Sequence, residues 1–165
     1  SGALAVWDTL AIAETLAEMF PEKHLWPRDA AARAHARSIC TEMHSGFVDL
    51  RINCPMNIEA HLPAQGALVW RDKPGVRADV ERLVHMWRDL LQGHGGPMLF
   101  GEFSIADAYF APVCTRIKTY ALPVPDAIAA YVDRVYALPG VKAWVDGALA
   151  EHDFLDIGEP YRLHR

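Results

Sequence analysis

The chain has 165 residues, 52% of them hydrophobic, which is enough for one sizeable core and short for two full domains. A net charge of -5 with 16 scattered Lys and Arg argues against a nucleic-acid footprint, and no apolar run approaches the roughly 20 residues that a membrane-spanning helix needs. Cys40, Cys54 and Cys114 have no C-x-x-C spacing and make an odd number, which speaks against a disulfide framework or zinc site and for a reducing, cytoplasmic compartment.

The opening Ser1-Gly-Ala-Leu-Ala-Val-Trp7 reads as a turn running into a short strand with no partner strand nearby, so the chain is expected to begin inside a domain. Over residues 8–20, Leu10, Ile12, Ala13, Leu16, Ala17 and Phe20 approximate helical spacing behind an Asp8-Thr9 pair able to cap the helix, and Pro21 ends it. Two prolines mark residues 21–28 as a linker loop. Asp29 then serves as N-cap of one long helix predicted through about residue 53. Its alanine-rich start suits close helix–helix approach, in a dimer or a tight bundle contact.

Residues 55–73 lack a sustained period and read as a loop with at most a short helical turn, anchored by Trp70. Helix returns over residues 74–92, where Val76, Val80, Leu83, Val84, Trp87, Leu90 and Leu91 share a broad face, and His94-Gly-Gly-Pro97 stops it. The next helix, over residues 104–120, has the most fully specified start. Ser104 and Asp107 form a capping box in which the Ser104 hydroxyl accepts from the Asp107 N–H and the Asp107 carboxylate accepts from the Ser104 N–H, with Phe103 placed for a hydrophobic staple. Asp107→Ala is expected to cost about 0.5–2 kcal/mol as a lost cap. Pro112 is expected to kink this helix. Helices over 126–137 and 140–151 follow, and the tail 152–165 reads as extended or frayed. About six helices with almost no strand define an all-α bundle.

The order of these parts resembles the glutathione S-transferase family over essentially the whole chain. Val6-Trp7-Asp8-Thr9-Leu10-Ala11-Ile12 with Glu14 and Leu16 is similar to the last strand and helix of that family's thioredoxin-like domain. Phe20-Pro-Glu with Leu25-Trp-Pro, Asp29 and Ala32-Arg33-Ala34 is similar to the linker into its helical domain. Phe100-Gly with Phe103-Ser-Ile-Ala-Asp107 resembles the N-capping box of the central helix of that domain, and Tyr131 with Leu138-Pro-Gly and Trp144 resembles its late helices. Glu42-Met-His-Ser-Gly-Phe47 with Leu50-Arg51 looks like a bacterial subgroup.

The resemblance implies a C-terminal helical bundle at residues 29–165, a linker at 21–28, and at 1–20 a remnant strand and helix of the thioredoxin-like domain. It also implies a transferase that adds glutathione, its co-substrate, to small hydrophobic electrophiles in detoxification, as a cytoplasmic homodimer without metal, nucleic-acid or membrane partners. Asp8 and Thr9 would bind the γ-glutamyl end of glutathione; read without the resemblance, they are a plain helix cap. His44, Phe47 and Arg51 fall at i, i+3 and i+7 of the predicted long helix with Met43 at the edge. With Tyr109 and Val113 they would line an acceptor-substrate pocket, the alternative being core packing for the apolar residues and solvation for the charged pair. The catalytic residue is unknown and is expected in the thioredoxin-like domain outside these residues, so the 165-residue chain alone should be weakly active or inactive. The alternatives are a non-catalytic glutathione-transferase-like binding or assembly module, and an unrelated helical bundle. Ser104 and Asp107 are structural, the mid-helix Cys40 and Cys114 are inert packing, and the histidines lack metal-ligand spacing.

Overall fold

Helix boundaries fall mostly on residues able to satisfy or remove a terminal backbone donor. The computed structural model describes residues 4–152 and 159–161. Among these, eight α-helices occur and no strand: α1 Thr9–Met19, α2 Ala30–Ser45, α3 Val48–Asn53, α4 Pro63–Asp72, α5 Pro74–His94, α6 Ile105–Tyr120, α7 Asp126–Ala137 and α8 Pro139–Glu151. None of them is long and apolar enough to cross a membrane. Asp8 caps α1 and Asp29 caps α2, the latter accepting from the Ala32 N–H at 2.8 Å. Proline stands at the first turn of α4 and of α8, where the missing N–H costs nothing.

Three expectations need correction. Residues 4–7 form no strand, because extended backbone needs a partner to take its N–H and C=O groups and the described residues offer none. The single long helix is two helices: Gly46 ends α2, with its N–H bonded to the Glu42 carbonyl, and Phe47 adopts left-handed φ 55 and ψ 42 before α3. A Cβ at Gly46 would come within 2.6 Å of the Glu42 carbonyl oxygen, so the turn requires glycine. Finally, the loop predicted over 55–73 contains the ten-residue α4. Only Gly66 and Val69 of α4 are buried, too few apolar positions to declare a period. The expected tail conformation falls largely outside the described residues.

The chain divides into two compact units, Ser1–Gly46 with Leu90–Phe110, and Phe47–Asp89 with Ala111–Arg165. In the first unit Ala36, Ile39, Cys40, Leu99, Ala106 and Phe110 are fully or almost fully buried. Glu14 of α1 receives two hydrogen bonds from Arg37 of α2, at 2.7 and 2.9 Å, and the Arg37 guanidinium lies 5.6 Å from the centre of the buried Trp26 ring. Arg33 donates to the Pro27 and Arg28 carbonyls and so fastens the linker to α2.

In the second unit the core is Leu50, the Val76, Val80, Leu83 and Trp87 stripe of α5, and Tyr120, Ile128, Tyr131 and Val135. Trp87 meets Tyr131 edge to face, with centroids 5.0 Å apart. Gly66 of α4 lies against the C-terminal end of α6 so closely that a Cβ there would fall 1.7 Å from the Tyr120 carbonyl oxygen. The loop before α4 is tied down by Leu62 N–H to the Thr119 carbonyl at 2.7 Å, Thr119 Oγ1 to the Asn57 carbonyl at 2.7 Å and the Tyr120 hydroxyl to the Pro55 carbonyl at 3.0 Å. α6 continues through Pro112, whose missing N–H leaves the carbonyl of Ala108, an exposed residue, to water.

Candidate functional site

The start of α1 gathers the polar side chains of Asp8, Thr9 and His44. Asp8 is extended, with φ -98 and ψ -169, and its carbonyl accepts from the Ile12 N–H at 3.0 Å. Its carboxylate oxygen Oδ1 accepts both from the Thr9 backbone N–H and from Thr9 Oγ1, the latter at 2.9 Å. These bonds hold the Asp8 carboxyl below the usual carboxylate range, the Thr9 N–H contributing most, its hydroxyl next, and His44 a smaller electrostatic part. As at any α-helix start, the next N–H groups, those of Leu10 and Ala11, have no carbonyl of their own helix to bond.

His44, near the end of α2, completes the cluster. Its Nδ1 lies 3.2 Å from Thr9 Oγ1 and its Nε2 lies 3.2 Å from Asp8 Oδ2. The side chains of His44 and Asp8 are 51% and 69% exposed, so a solute can reach both. Tyr109, on the part of α6 within the same unit, has its hydroxyl beside Thr9, buried and without a partner at good hydrogen-bond geometry. Burial raises the Tyr109 pKa, and the neighbouring Thr9 hydroxyl works against that.

The face that was to join His44, Phe47 and Arg51 does not exist as one helix surface, because α2 ends at Ser45 and the other two residues belong to the second unit. His44 stands instead with Thr9 and Asp8. Nothing near it in sequence signals this, since Thr9 is 35 residues away. Met43 is buried in the first unit. In the second unit Phe47 and Val113 are buried, while Arg51 is half-buried near Arg116. Burial first, and then Arg51, holds the Arg116 guanidinium below its ordinary value, and it donates to the Cys54 and Pro112 carbonyls at 3.1 and 2.9 Å.

At the α6 start the capping box forms on one side only. Asp107, fully buried, accepts from the Ser104 N–H at 2.8 Å as expected, and its other oxygen accepts from the Leu99 N–H at 3.1 Å, which fastens the preceding turn. Ser104 Oγ faces the Ala106 N–H at 3.3 Å rather than that of Asp107, and Phe103 is 46% exposed, so no staple buries it.

Two cavities lie elsewhere. One of about 240 Å³ in the first unit is bounded by Trp26, Arg28, His94, Phe100 and Phe103, and one of about 310 Å³ in the second by Asn57, Glu59, His61, Tyr120 and Tyr161. Neither is lined by Met43, Phe47, Tyr109 or Val113. Among the described residues no group of three or more His, Cys, Asp and Glu is arranged to hold a metal ion.

Residues 11–147 match the family of glutathione S-transferase C-terminal domains, and the chain belongs to that family. Among solved structures it is similar to a glutathione transferase homologue from Burkholderia gl BGR1 with bound glutathione, at 25% identity and a TM-score of 0.67, over 92% of this chain and 72% of that one. No curated protein sequence matches the chain significantly.

Proposed function

We propose that the chain is the helical part of a cytoplasmic, homodimeric glutathione transferase that adds the glutathione thiolate to small hydrophobic electrophiles. The observation that carries this reading is the exposed Asp8–Thr9–His44 cluster at the start of α1, in a chain whose structural neighbour holds glutathione. Asp8 would take the ammonium group of the γ-glutamyl residue. The Thr9 hydroxyl and the unbonded N–H groups of the first turn of α1 would take its carboxylate, where the helix dipole also favours negative charge.

In conjugation the glutathione sulfur, having lost its proton, forms a bond to the electrophilic carbon, and either a leaving group departs with the electron pair or, on a conjugated double bond, the resulting carbanion takes a proton from water. The residues of this chain bind and orient, since the group that lowers the thiol pKa is expected in a thioredoxin-like domain. Within the first unit, Met43 and Tyr109 are the acceptor-side candidates. The test is calorimetric titration of the intact protein with glutathione, alongside turnover of a chloronitrobenzene. Asp8→Asn and Thr9→Val should each weaken binding about tenfold, the worth of a charge-assisted hydrogen bond. Failure of the unaltered protein to bind glutathione, or variants that bind as it does, would sink the reading. Binding without turnover would identify a non-catalytic module instead.

A further inference from the structure

We infer that the cavity of the second unit is a binding site for a small methylated ammonium ion, with tyrosine rings for walls and carboxylates at its rim. Every residue that bounds it belongs to the second unit, and none takes part in the glutathione reading above, so the two stand or fall separately.

The cavity measures about 310 Å³, at the lower end of the roughly 300–1,000 Å³ typical of small-molecule sites. Three segments far apart in sequence enclose it. The loop before α4 supplies Glu59, His61 and Leu62, the end of α6 supplies Tyr120, and the chain beyond α8 supplies Glu159 and Tyr161. The loop is held by bonds that owe nothing to a ligand: Leu62 N–H to the Thr119 carbonyl, Thr119 Oγ1 to the Asn57 carbonyl, and Ala60 N–H to Asn57 Oδ1 at 3.0 Å. A space held open in this way is occupied without the cost of ordering its walls.

The lining selects the charge of the occupant. The Tyr120 hydroxyl donates to the Pro55 carbonyl at 3.0 Å and the Tyr161 hydroxyl to the Asn53 carbonyl at 2.9 Å, so both phenolic protons are committed to the backbone and the tyrosines give the cavity ring surface. The two rings stand edge to face, with centroids 6.0 Å apart and planes at 76°, and form a corner rather than a flat wall. Ring faces attract a cation electrostatically and ask no hydrogen bond of it. Glu59 and Glu159 add negative charge, and among the described residues no lysine or arginine bounds the cavity. An anion is therefore repelled. Both carboxylates already have interactions of their own, which distinguishes among cations. A primary ammonium brings three N–H donors that each need an acceptor on leaving water, whereas a quaternary one brings none and packs its methyl groups against Leu62 and ring carbon.

The test titrates the intact protein, followed by ligand-observed NMR, with two probes of the same shape: choline, and 3,3-dimethylbutan-1-ol, in which carbon replaces the charged nitrogen. Choline should bind saturably and at least about fivefold more tightly than the alcohol, the worth of a cation over aromatic rings. Tyr161→Leu should reduce that preference to about twofold, and Glu59→Gln, a change at an exposed position, should weaken choline about twofold and leave the alcohol as it was. Equal binding of the two probes, no binding of either, a Tyr161→Leu protein that loses both in proportion, or a Glu59→Gln protein that keeps choline undiminished would each overturn the inference.

Discussion

Asp107 is where a single substitution should cost the most for the fewest atoms removed. Its carboxylate is wholly buried and accepts from two backbone donors, Ser104 N–H at 2.8 Å and Leu99 N–H at 3.1 Å, on residues that are themselves 3% and 0% exposed. Replacing Asp107 with alanine removes the acceptor of both donors from a place where water has little access. An unsatisfied buried donor costs about 1–3 kcal/mol, so two amount to roughly 2–6 kcal/mol; a water entering the vacated space recovers part, and about 3 kcal/mol is the expected loss. This exceeds the cost of an ordinary cap, because the second bond, to Leu99, also secures the turn that delivers the chain into α6. Ser104→Ala is the internal control, since Ser104 Oγ makes only long bonds, accepting from the Ala106 N–H at 3.3 Å and donating to Asp107 Oδ2 at 3.4 Å, and should cost about 0.5–1 kcal/mol. In urea melts followed by helical circular dichroism, a slope near 2 kcal/mol per molar converts 3 kcal/mol into a midpoint lowered by about 1.5 M. A midpoint for Asp107→Ala no lower than that for Ser104→Ala would refute the reasoning.

Gly66→Ala, which in an exposed helix interior stabilises by about 1 kcal/mol, should here destabilise by at least about 2 kcal/mol. The new Cβ meets the Tyr120 carbonyl oxygen at 1.7 Å and the two helix backbones must separate, so a raised melting temperature would contradict the observed packing. Arg37 holds the Glu14 carboxyl below its ordinary value, chiefly through its hydrogen bonds. A lowered folded-state pKa contributes stability above the unfolded value of about 4.5 and loses it as the pH falls through the folded value. The stability difference between the unaltered protein and Arg37→Met should therefore be full near pH 7 and shrink on acidification to about pH 3. With side chains 39% and 33% exposed, solvent screening keeps the full difference to at most about 1 kcal/mol, and a difference independent of pH would exclude this account. Burial pushes the Cys40 and Cys54 thiols up to about 12, against a weaker opposing effect of Arg116 on Cys54. Both should ignore a disulfide reagent in native protein and react once denaturant unfolds it; stoichiometric labelling of either in the folded state would show that burial does not suppress the thiolate.

What could be read from sequence was local. The Asp8 and Asp29 caps, the apolar stripe of α5, the start of α6 at Ser104 and the separate α7 and α8 each rest on residues within a turn or two of one another. The family resemblance rests on the order of those same pieces. α4 escaped because its structure is justified from outside: a ten-residue helix with two buried positions is marginal alone, and it is held by Gly66 lying on the Tyr120 carbonyl and by Leu62 bonding to Thr119. The same holds for the turn at Gly46 and Phe47, which helical spacing ran straight through. A glycine within a helical pattern is a possible C-cap, and only the left-handed Phe47 backbone turned it into a boundary.

The candidate site divides in the same way. Sequence alone determined that this is an all-helical chain of the glutathione S-transferase type, with an acid and a hydroxyl at the start of its first helix, because periodicity and capping are written in neighbouring residues. Only the tertiary structure decided that His44 faces Thr9 and Asp8, that Arg37 grips Glu14, and that His44 is separated from Phe47 and Arg51 by a helix end. Those facts depend on where a second helix is laid down and where it stops, and the packing that sets both is distributed over residues far apart in the chain.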